Sequence, residues 1–367
     1  MAATQRGFLE SLIHSSVKLG LLVLLSYLAL LGILSLDSPQ RGMIFLNWIN
    51  YPFFVDWDSP EEFGFPQNRV RNFMIETPDG QIGAWHVLPS HFYRKNKERL
   101  KNPDSEIYFE ALRSDSYPTM LYFHGNAGNR AAPWRVETYR QLADRLNMNV
   151  ITIDYRGFGN SKGIPSETGL YTDAYATWKL LIDNGVAQDN ISLLGHSLGT
   201  GVATWLARNL SESNTPPKAT VLLAPYSSIR EAMFDYRMVR LILRPLRSFH
   251  RLRSSIMSLV RHPFDSYSRI QNITTPIILL HGLKDSIIPY YHSQRLFWHA
   301  SGGTSIYDPS VQKTVYPKEG IKYELARIPR GPSALIYLDL VWAHHNNVHL
   351  YDLVYETIAE YVNCQND

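Results

Sequence analysis

The chain has 367 residues, 19% of them charged, with 36 basic side chains against 33 acidic ones and a formal net charge of +3. That length exceeds the usual domain and fits one large α/β domain with additions, while a nearly balanced charge without a nucleic-acid motif excludes nucleic acid as a partner. The single cysteine, Cys364, rules out an internal disulfide or a cysteine metal cluster and reads as an idle thiol in a polar tail.

Taken in chain order, the first element is "LGLLVLLSYLALLGILSL", Leu19 to Leu36, which carries no charge. At about 1.5 Å per residue, a helix of this length just crosses a hydrocarbon core about 30 Å thick. A cleaved signal peptide would have an apolar region of about 7 to 15 residues before a small-x-small site. This run is longer, and Ser35-Leu36-Asp37 is a poor cleavage site, so residues 19–36 are expected to be a retained transmembrane helix. Arg6, His14 and Lys18 precede it, offset in part by Glu10, and Asp37, Asp56, Asp58, Glu61 and Glu62 follow. The basic side stays cytoplasmic, which gives residues 1–18 as a short cytoplasmic N-terminus and puts the rest in a lumen or outside the cell. Asn190, Asn209 and Asn272 head Asn-x-Ser/Thr triplets compatible with that side.

Residues 37–69 form an aromatic, proline-punctuated collar with Trp48, Tyr51, Phe53, Phe54 and Trp57. These rings suit either the membrane headgroups or the surface of the domain, and both remain open. From Val70 the pattern becomes that of a folded domain, residues 70–367. "VRNFMIETPDG" and "QIGAWHVLP" predict a hairpin through Asp79-Gly80, and the polar stretch Ser90 to Tyr117 reads as a surface insertion. Apolar runs then alternate with helical ones: "TMLYFHG", a helix around Trp134–Leu146, "NVITIDY", a helix around Glu167–Ile182, "ISLLG", a helix from Leu198, "ATVLLAP" and "TPIILLHG". Such alternation predicts an α/β fold with a mainly parallel sheet covered by helices on both faces.

Residues 226–270 break the alternation. Nine arginines, no lysine and three acids interleave there with apolar residues such as Met233, Leu241, Leu246, Phe249 and Leu259. The segment reads as basic amphipathic helices forming a lid over the carboxyl ends of the strands. Residues 301–332, rich in Gly and Pro, read as a long loop before the last strand "ALIYLDL" and the terminal helix "YDLVYETIAEYV".

The chemistry lies in Gly195-His196-Ser197-Leu198-Gly199, set between the strand "ISLL" and the helix "LGTGVATWLARNL". A serine hydroxyl becomes a nucleophile when a base takes its proton and a sharp strand-to-helix turn presents it; glycines flank that turn because side chains would clash. In this chain order the acid follows a later strand and the base follows the last one. Asp285 in "HGLKDSIIP" is the candidate acid, and His345 is the candidate base, with His344 as the alternative and His349 disfavoured because it borders the helix. The small-residue loop His124-Gly125-Asn126 can aim the Asn126 N–H at a developing oxyanion, paired with the N–H of Leu198. His124 and His196 read as structural neighbours, and Asp154 as a carboxylate holding its turn with Arg156. The lysine and hydroxyl of a phosphate loop are missing, and no cofactor or metal is expected.

At these residues the chain resembles the α/β-hydrolase superfamily over roughly Val70 to Tyr361. "HGNAGNR", "DYRGFGNSKGIPSETGLYTDA", "GHSLGTGVATWLARNL" and "TPPKATVLLAPYSSIREA" are similar to its membrane-anchored branch, the alpha/beta hydrolase domain-containing protein 12 family. The resemblance implies a single N-terminal membrane helix, a lumenal or extracellular catalytic domain in the endoplasmic reticulum, and lysophosphatidylserine lipase and monoacylglycerol lipase activity. By motif, it implies Ser197 as nucleophile, Asp285 as acid and His345 as base. The expected partners are a lipid substrate and the membrane. An acyl-protein thioesterase would use the same triad, and a silent hydrolase fold serving as a membrane binding module is the reading from a different class.

Overall fold

The computed structural model describes residues 2–246, 250–318, 321–330 and 333–362; Cys364 and, within the expected lid, Phe249 lie outside them. Helix α1 (Ala2–Leu34) contains a 22-residue stretch, Ile13–Leu34, that is long and apolar enough to cross a membrane. It stops short of Leu36, because the Ser35 hydroxyl turns back to the Gly32 carbonyl at 2.6 Å and Leu36 is already the cap residue of α2 (Asp37–Phe45). The collar beyond divides its aromatics between two surroundings. Trp57, Phe63 and Phe65 pack their rings around the buried Trp85, whereas Trp48, Phe53 and Phe54 stand exposed.

The folded domain opens with β1 (Val70–Thr77) and β2 (Gly80–Val87), antiparallel with Thr77 opposite Gly80, so the hairpin forms as expected but its two-residue turn is Pro78-Asp79, one residue earlier than Asp79-Gly80, and Gly80 already opens β2. The surface insertion proves to be helical. It contains α3 (Ser90–Lys95) and α4 (Ser105–Arg113), the latter capped by Asp104, whose carboxylate accepts from the Ile107 N–H at 3.1 Å. Phe92, Leu100, Ile107, Tyr108 and Ala111 bury against one another there as a small core of their own. Next come β3 (Thr119–Phe123), α5 (Pro133–Arg145), β4 (Asn149–Ile153), α6 (Glu167–Asp183), β5 (Ile191–His196), α7 (Leu198–Glu212) and β6 (Thr220–Leu223). The lid follows as α8 (Ile229–Ala232), α9 (Arg237–Leu243), α10 (His250–Ser258) and α11 (Tyr267–Ile270). The chain returns through β7 (Ile277–Gly282), α12 (Tyr291–Ala300), β8 (Gln312–Lys318), β9 (Ile321–Arg330), β10 (Ser333–Leu340) and α13 (Asp352–Val362).

All ten strands join one sheet in the order β1-β2-β4-β3-β5-β6-β7-β10-β9-β8. The strands from β4 to β10 in that order run parallel, with an antiparallel pair on each flank. Alternation along β3 shows how the sheet is covered. Leu121 and Phe123 enter one core with Leu170, Val202 and Leu206 of α6 and α7, while Met120 and Tyr122 enter another with Leu142 and Ile358 of α5 and α13. Each fully buried aliphatic side chain contributes about 1.5–3 kcal/mol, so both faces stabilise the sheet.

The expected loop 301–332 requires correction, because most of it is the β8–β9 hairpin added to the sheet edge. Pro317 suggested a loop, but β8 is the outermost strand, where a residue without an N–H costs no ladder bond on the open side. β-Branched and aromatic residues such as Val315 and Ile328 supply the strand preference that the neighbouring glycines concealed.

Candidate active site

Strand β5 ends at His196 and α7 starts at Leu198, leaving Ser197 alone to make the turn with φ 51° and ψ −119°. A non-glycine residue held there costs on the order of 1–3 kcal/mol, which the packing around it must offset. That packing requires the two flanking glycines. A Cβ on Gly199 would stand 2.0 Å from the Phe123 carbonyl oxygen, and one on Gly195 would stand 2.4 Å from the Gly199 carbonyl oxygen. Strand, turn and helix therefore approach to backbone contact, and the serine side chain projects above the carboxyl ends of the parallel strands.

The loops after β7 and β10 converge on Ser197. His345 lies with Nε2 at 2.9 Å from Ser197 Oγ and Nδ1 at 2.7 Å from Asp285 Oδ2. The other carboxylate oxygen of Asp285 accepts from the N–H groups of Ile287 and Ile288 at 2.8 and 2.9 Å. Burial opposes the charge on Asp285, but hydrogen bonds from His281 and His345 outweigh it and hold the carboxyl well below the usual range. The side chain is therefore an anion at any physiological pH and fixes the His345 tautomer with Nδ1–H toward it. His344 turns the other way, its Nδ1 3.0 Å from the Lys284 carbonyl oxygen. His349 lies on the short turn before α13, where Tyr355 bonds its carbonyl.

Two further histidines position these groups: His196, expected only as a structural neighbour, and His281, which the sequence reading did not single out. His196 Nε2 is 3.0 Å from the His345 carbonyl oxygen; burial and the neighbouring His345 push its pKa down to about 3, so the neutral ring donates its Nε2–H. His281 Nε2 bonds the Ile288 carbonyl oxygen at 2.8 Å and lies 3.4 Å from Asp285 Oδ2, while its Nδ1 meets Ser293 Oγ at 2.6 Å. The Asp285 loop is thus pinned from below by a ring rooted in β7.

On the opposite side lies the loop after β3. Gly125 passes so close that a Cβ would stand 3.1 Å from that of Ser197. Asn126 and Leu198 border the same cavity as Ser197, and Leu198, as the first residue of α7, has an N–H with no partner one turn back in the helix. The loop is held by groups the sequence did not reveal. The buried Arg135 of α5 donates to the carbonyls of Gly125, Asn126, Ala127 and Asn129 at 2.8 to 3.2 Å. From the collar, the carbonyls of Phe45, Ile49 and Tyr51 accept from the N–H groups of Ala127, Gly128 and Asn129. An arginine in an amphipathic helix reads as a solvated charge, and nothing in the spacing announces an inward one.

The expected Asp154–Arg156 pair does not form. Asp154 pairs instead with Arg130 at 2.5 Å, and Arg156 pairs with Asp173 at 2.7 Å and with Asp79. Arg130 follows β3, the neighbour of β4, so the fold supplies a partner 24 residues away that chain order hides.

A cavity of about 180 Å³ opens above Ser197. Its wall is mostly apolar, with Met233, Val239, Ile242, Leu243, Ile256 and Val260 from the lid and Ile287 and Ile288 from the acid loop. Leu31 and Leu34 of α1 line it as well. An activated hydroxyl at the floor of an apolar pocket, flanked by backbone N–H groups, can carry out acyl transfer from an ester with a hydrocarbon chain.

Comparison with known proteins gives concordant findings. A family model described as the alpha/beta hydrolase fold matches residues 118–238. The chain is 34% identical over 276 residues to lysophosphatidylserine lipase ABHD12 of Danio rerio, covering 75% of this chain and 70% of that protein. It is also 34% identical to the Xenopus tropicalis protein of the same name over 295 residues, 80% of this chain and 73% of the relative. Human protein ABHD12B is 34% identical over 256 residues, covering 70% and 68%. Among solved structures, an alpha-beta hydrolase from Vibrio vulnificus superposes with a TM-score of 0.59 at 15% identity, covering 87% of this chain and 91% of that one. An esterase of Pyrococcus furiosus gives 0.53 at 17% identity over 86% and 96%; these two show the fold.

Proposed function

This chain belongs to the ABHD12 family of α/β hydrolases, and we propose that it is a membrane-anchored serine hydrolase that cleaves the ester of single-chain lipids. Lysophospholipids such as lysophosphatidylserine are the first substrate class, following the name of its relatives, and monoacylglycerols are the second. The observation that carries the proposal is the chain of hydrogen bonds Asp285–His345–Ser197 at the floor of an apolar cavity that reaches α1.

In the proposed reaction, His345 Nε2 takes the Ser197 proton as Oγ attacks the ester carbonyl, and Asp285 stabilises the imidazolium that forms. The N–H groups of Asn126 and Leu198 receive the oxyanion; a single donor of this kind is worth about 10²–10³ in turnover. The imidazolium protonates the departing glycerol oxygen, leaving the acyl group on Ser197. Water, deprotonated by the same histidine, then attacks the acyl-enzyme, and collapse of the second tetrahedral species releases the fatty acid and restores the serine. Residues 1–18 are read as mainly cytoplasmic, the span expected at 19–36 as the apolar part of α1 that ends at Leu34, 37–69 as the collar and 70–367 as the catalytic domain with lid 226–270, on the lumenal side of the endoplasmic reticulum. Retention of α1 is supported by its contacts, since Tyr27 donates a 2.8 Å hydrogen bond to the lid carbonyl of Ile242.

Ser197→Ala tests the reading. Purified wild-type protein in nanodiscs is expected to hydrolyse lysophosphatidylserine and monoacylglycerol and to be labelled by a fluorophosphonate, and the variant to do neither. Turnover retained in Ser197→Ala would remove the mechanism, and a wild type active only on acyl-protein thioesters would replace the substrate class.

A further inference from the structure

Helix α1 is more than a tether. Its half-buried residues Tyr27, Leu31 and Leu34 recur at helical spacing along one face, while Leu28 and Ile33 on the other faces are 53% and 54% exposed. The half-buried face meets the lid. Tyr27 and Leu31 pack beside Phe234, Leu243 and Leu246, and the Tyr27 hydroxyl donates to the Ile242 carbonyl at 2.8 Å. A second clasp lies at the foot of the helix. The Gln40 amide nitrogen donates to the carbonyls of Ser35 and Leu259, and its oxygen accepts from the Arg261 N–H.

The level of these contacts matters. Tyr27 lies seven residues before the end of α1, about 10 Å along its axis at 1.5 Å per residue. If Ile13–Leu34 spans the hydrocarbon, the lid segment beside Tyr27 lies below the membrane surface. The outward side chains suit that depth. Leu241, Leu252 and Leu259 are 66%, 44% and 52% exposed, and the exposed Arg240, Arg244 and Arg251 alternate with them. This is the composition of helices set about 5–10 Å into the boundary between headgroups and acyl chains.

We propose that the membrane helix itself forms the distal wall of the acyl-binding site, so that a lipid of the same leaflet passes its chain sideways between α1 and the lid and Leu31 and Leu34 limit its length. The inference rests on the function proposed above. It adds that the substrate chain need not leave the hydrocarbon: Ser197 and the two leucines border one continuous cavity, and the chain exchanges bilayer contacts for those of α1. The Tyr27 and Gln40 hydrogen bonds hold the lid at the height where that exchange occurs.

The test uses full-length protein in phosphatidylcholine nanodiscs and compares kcat/KM for an 18-carbon monoacylglycerol with that for a four-carbon p-nitrophenyl ester. Leu31→Trp and Leu34→Trp are expected to lower the long-to-short ratio at least tenfold, because the indole fills the distal end, whereas Leu28→Trp, on a lipid-facing side, leaves the ratio within twofold. Leu31→Ala and Leu34→Ala are expected to move the preferred chain length upward, which guards against a ratio lowered by misfolding. Equal effects from Leu28→Trp and Leu31→Trp, or a preferred length unmoved in both alanine variants, overturn the inference. Loss of the function itself would appear separately, as wild-type protein that does not turn over either ester or as Ser197→Ala protein that does.

Discussion

Arg135 concentrates in one side chain what holds the loop after β3, the loop proposed to supply an oxyanion donor. Its planar guanidinium reaches four successive or nearly successive carbonyls, which draws those oxygens toward α5 and turns the N–H of Asn126, trans to the Gly125 carbonyl, away from it. Lysine carries the same charge but only as a point donor on a flexible stem, and cannot span the same carbonyls. Arg135→Lys is therefore expected to lower kcat on a soluble short ester by about 10²-fold, the size of one lost oxyanion donor, while circular dichroism stays that of the wild type. Turnover within threefold of wild type would show that the collar carbonyls suffice. The proposed nucleophile and acid were legible because their chemistry is tied to sequence neighbours: glycines two residues to each side of Ser197, and a strand just before Asp285. Arg135, His196 and His281 act through backbone carbonyls brought from elsewhere, and a carbonyl leaves no mark in a sequence.

At the scale of elements, glycine has opposite meanings in two helices. In α7, a Cβ at Gly199 would stand 2.0 Å from the Phe123 carbonyl oxygen and 2.8 Å from that of His124, both in backbone that cannot yield without breaking the β3–β5 pairing. In α2, a Cβ at Gly42 meets nothing within 4 Å. Gly199→Ala is expected to abolish accumulation of folded protein. Gly42→Ala removes only backbone freedom and is expected to stabilise by roughly 0.5–1 kcal/mol, read as a rise of a few degrees in melting temperature by tryptophan fluorescence in detergent. A fall in melting temperature for Gly42→Ala, or normal yield for Gly199→Ala, would contradict these readings. The same contrast explains what the elements disclosed in advance. Buried parallel strands announce themselves as unbroken apolar runs such as "IILL", and α5, α6 and α7 lie within a residue or two of where periodicity predicts them. The β8–β9 hairpin was hidden because an edge strand needs neither an apolar run nor a full set of N–H groups, so a proline among charged residues reads as loop.

For the whole molecule, the orientation proposed from Arg6 and Lys18 has a consequence at a distant site. Of the three Asn-x-Ser/Thr triplets, Asn190 is buried, its amide directed at the carbonyls of Ser114 and Tyr117, and Asn209 is half-buried on α7. Asn272 is exposed in the turn before β7. A catalytic domain on the lumenal side presents Asn272-Ile273-Thr274 to the glycosylation machinery, whereas a cytosolic one never does. Full-length protein made in eukaryotic cells is expected to run as a species shifted by one glycan, sensitive to endoglycosidase H and lost in Asn272→Gln with lipase activity retained. A chain of unmodified mass, with a protease-accessible catalytic domain in intact microsomes, would reverse the orientation. It would leave the active-site geometry untouched but move the cavity between α1 and the lid to the cytosolic leaflet. The leaflet from which lipid enters follows from which end of α1 carries the domain, and among the described residues of α1 those that line the cavity, Leu31 and Leu34, lie at that end.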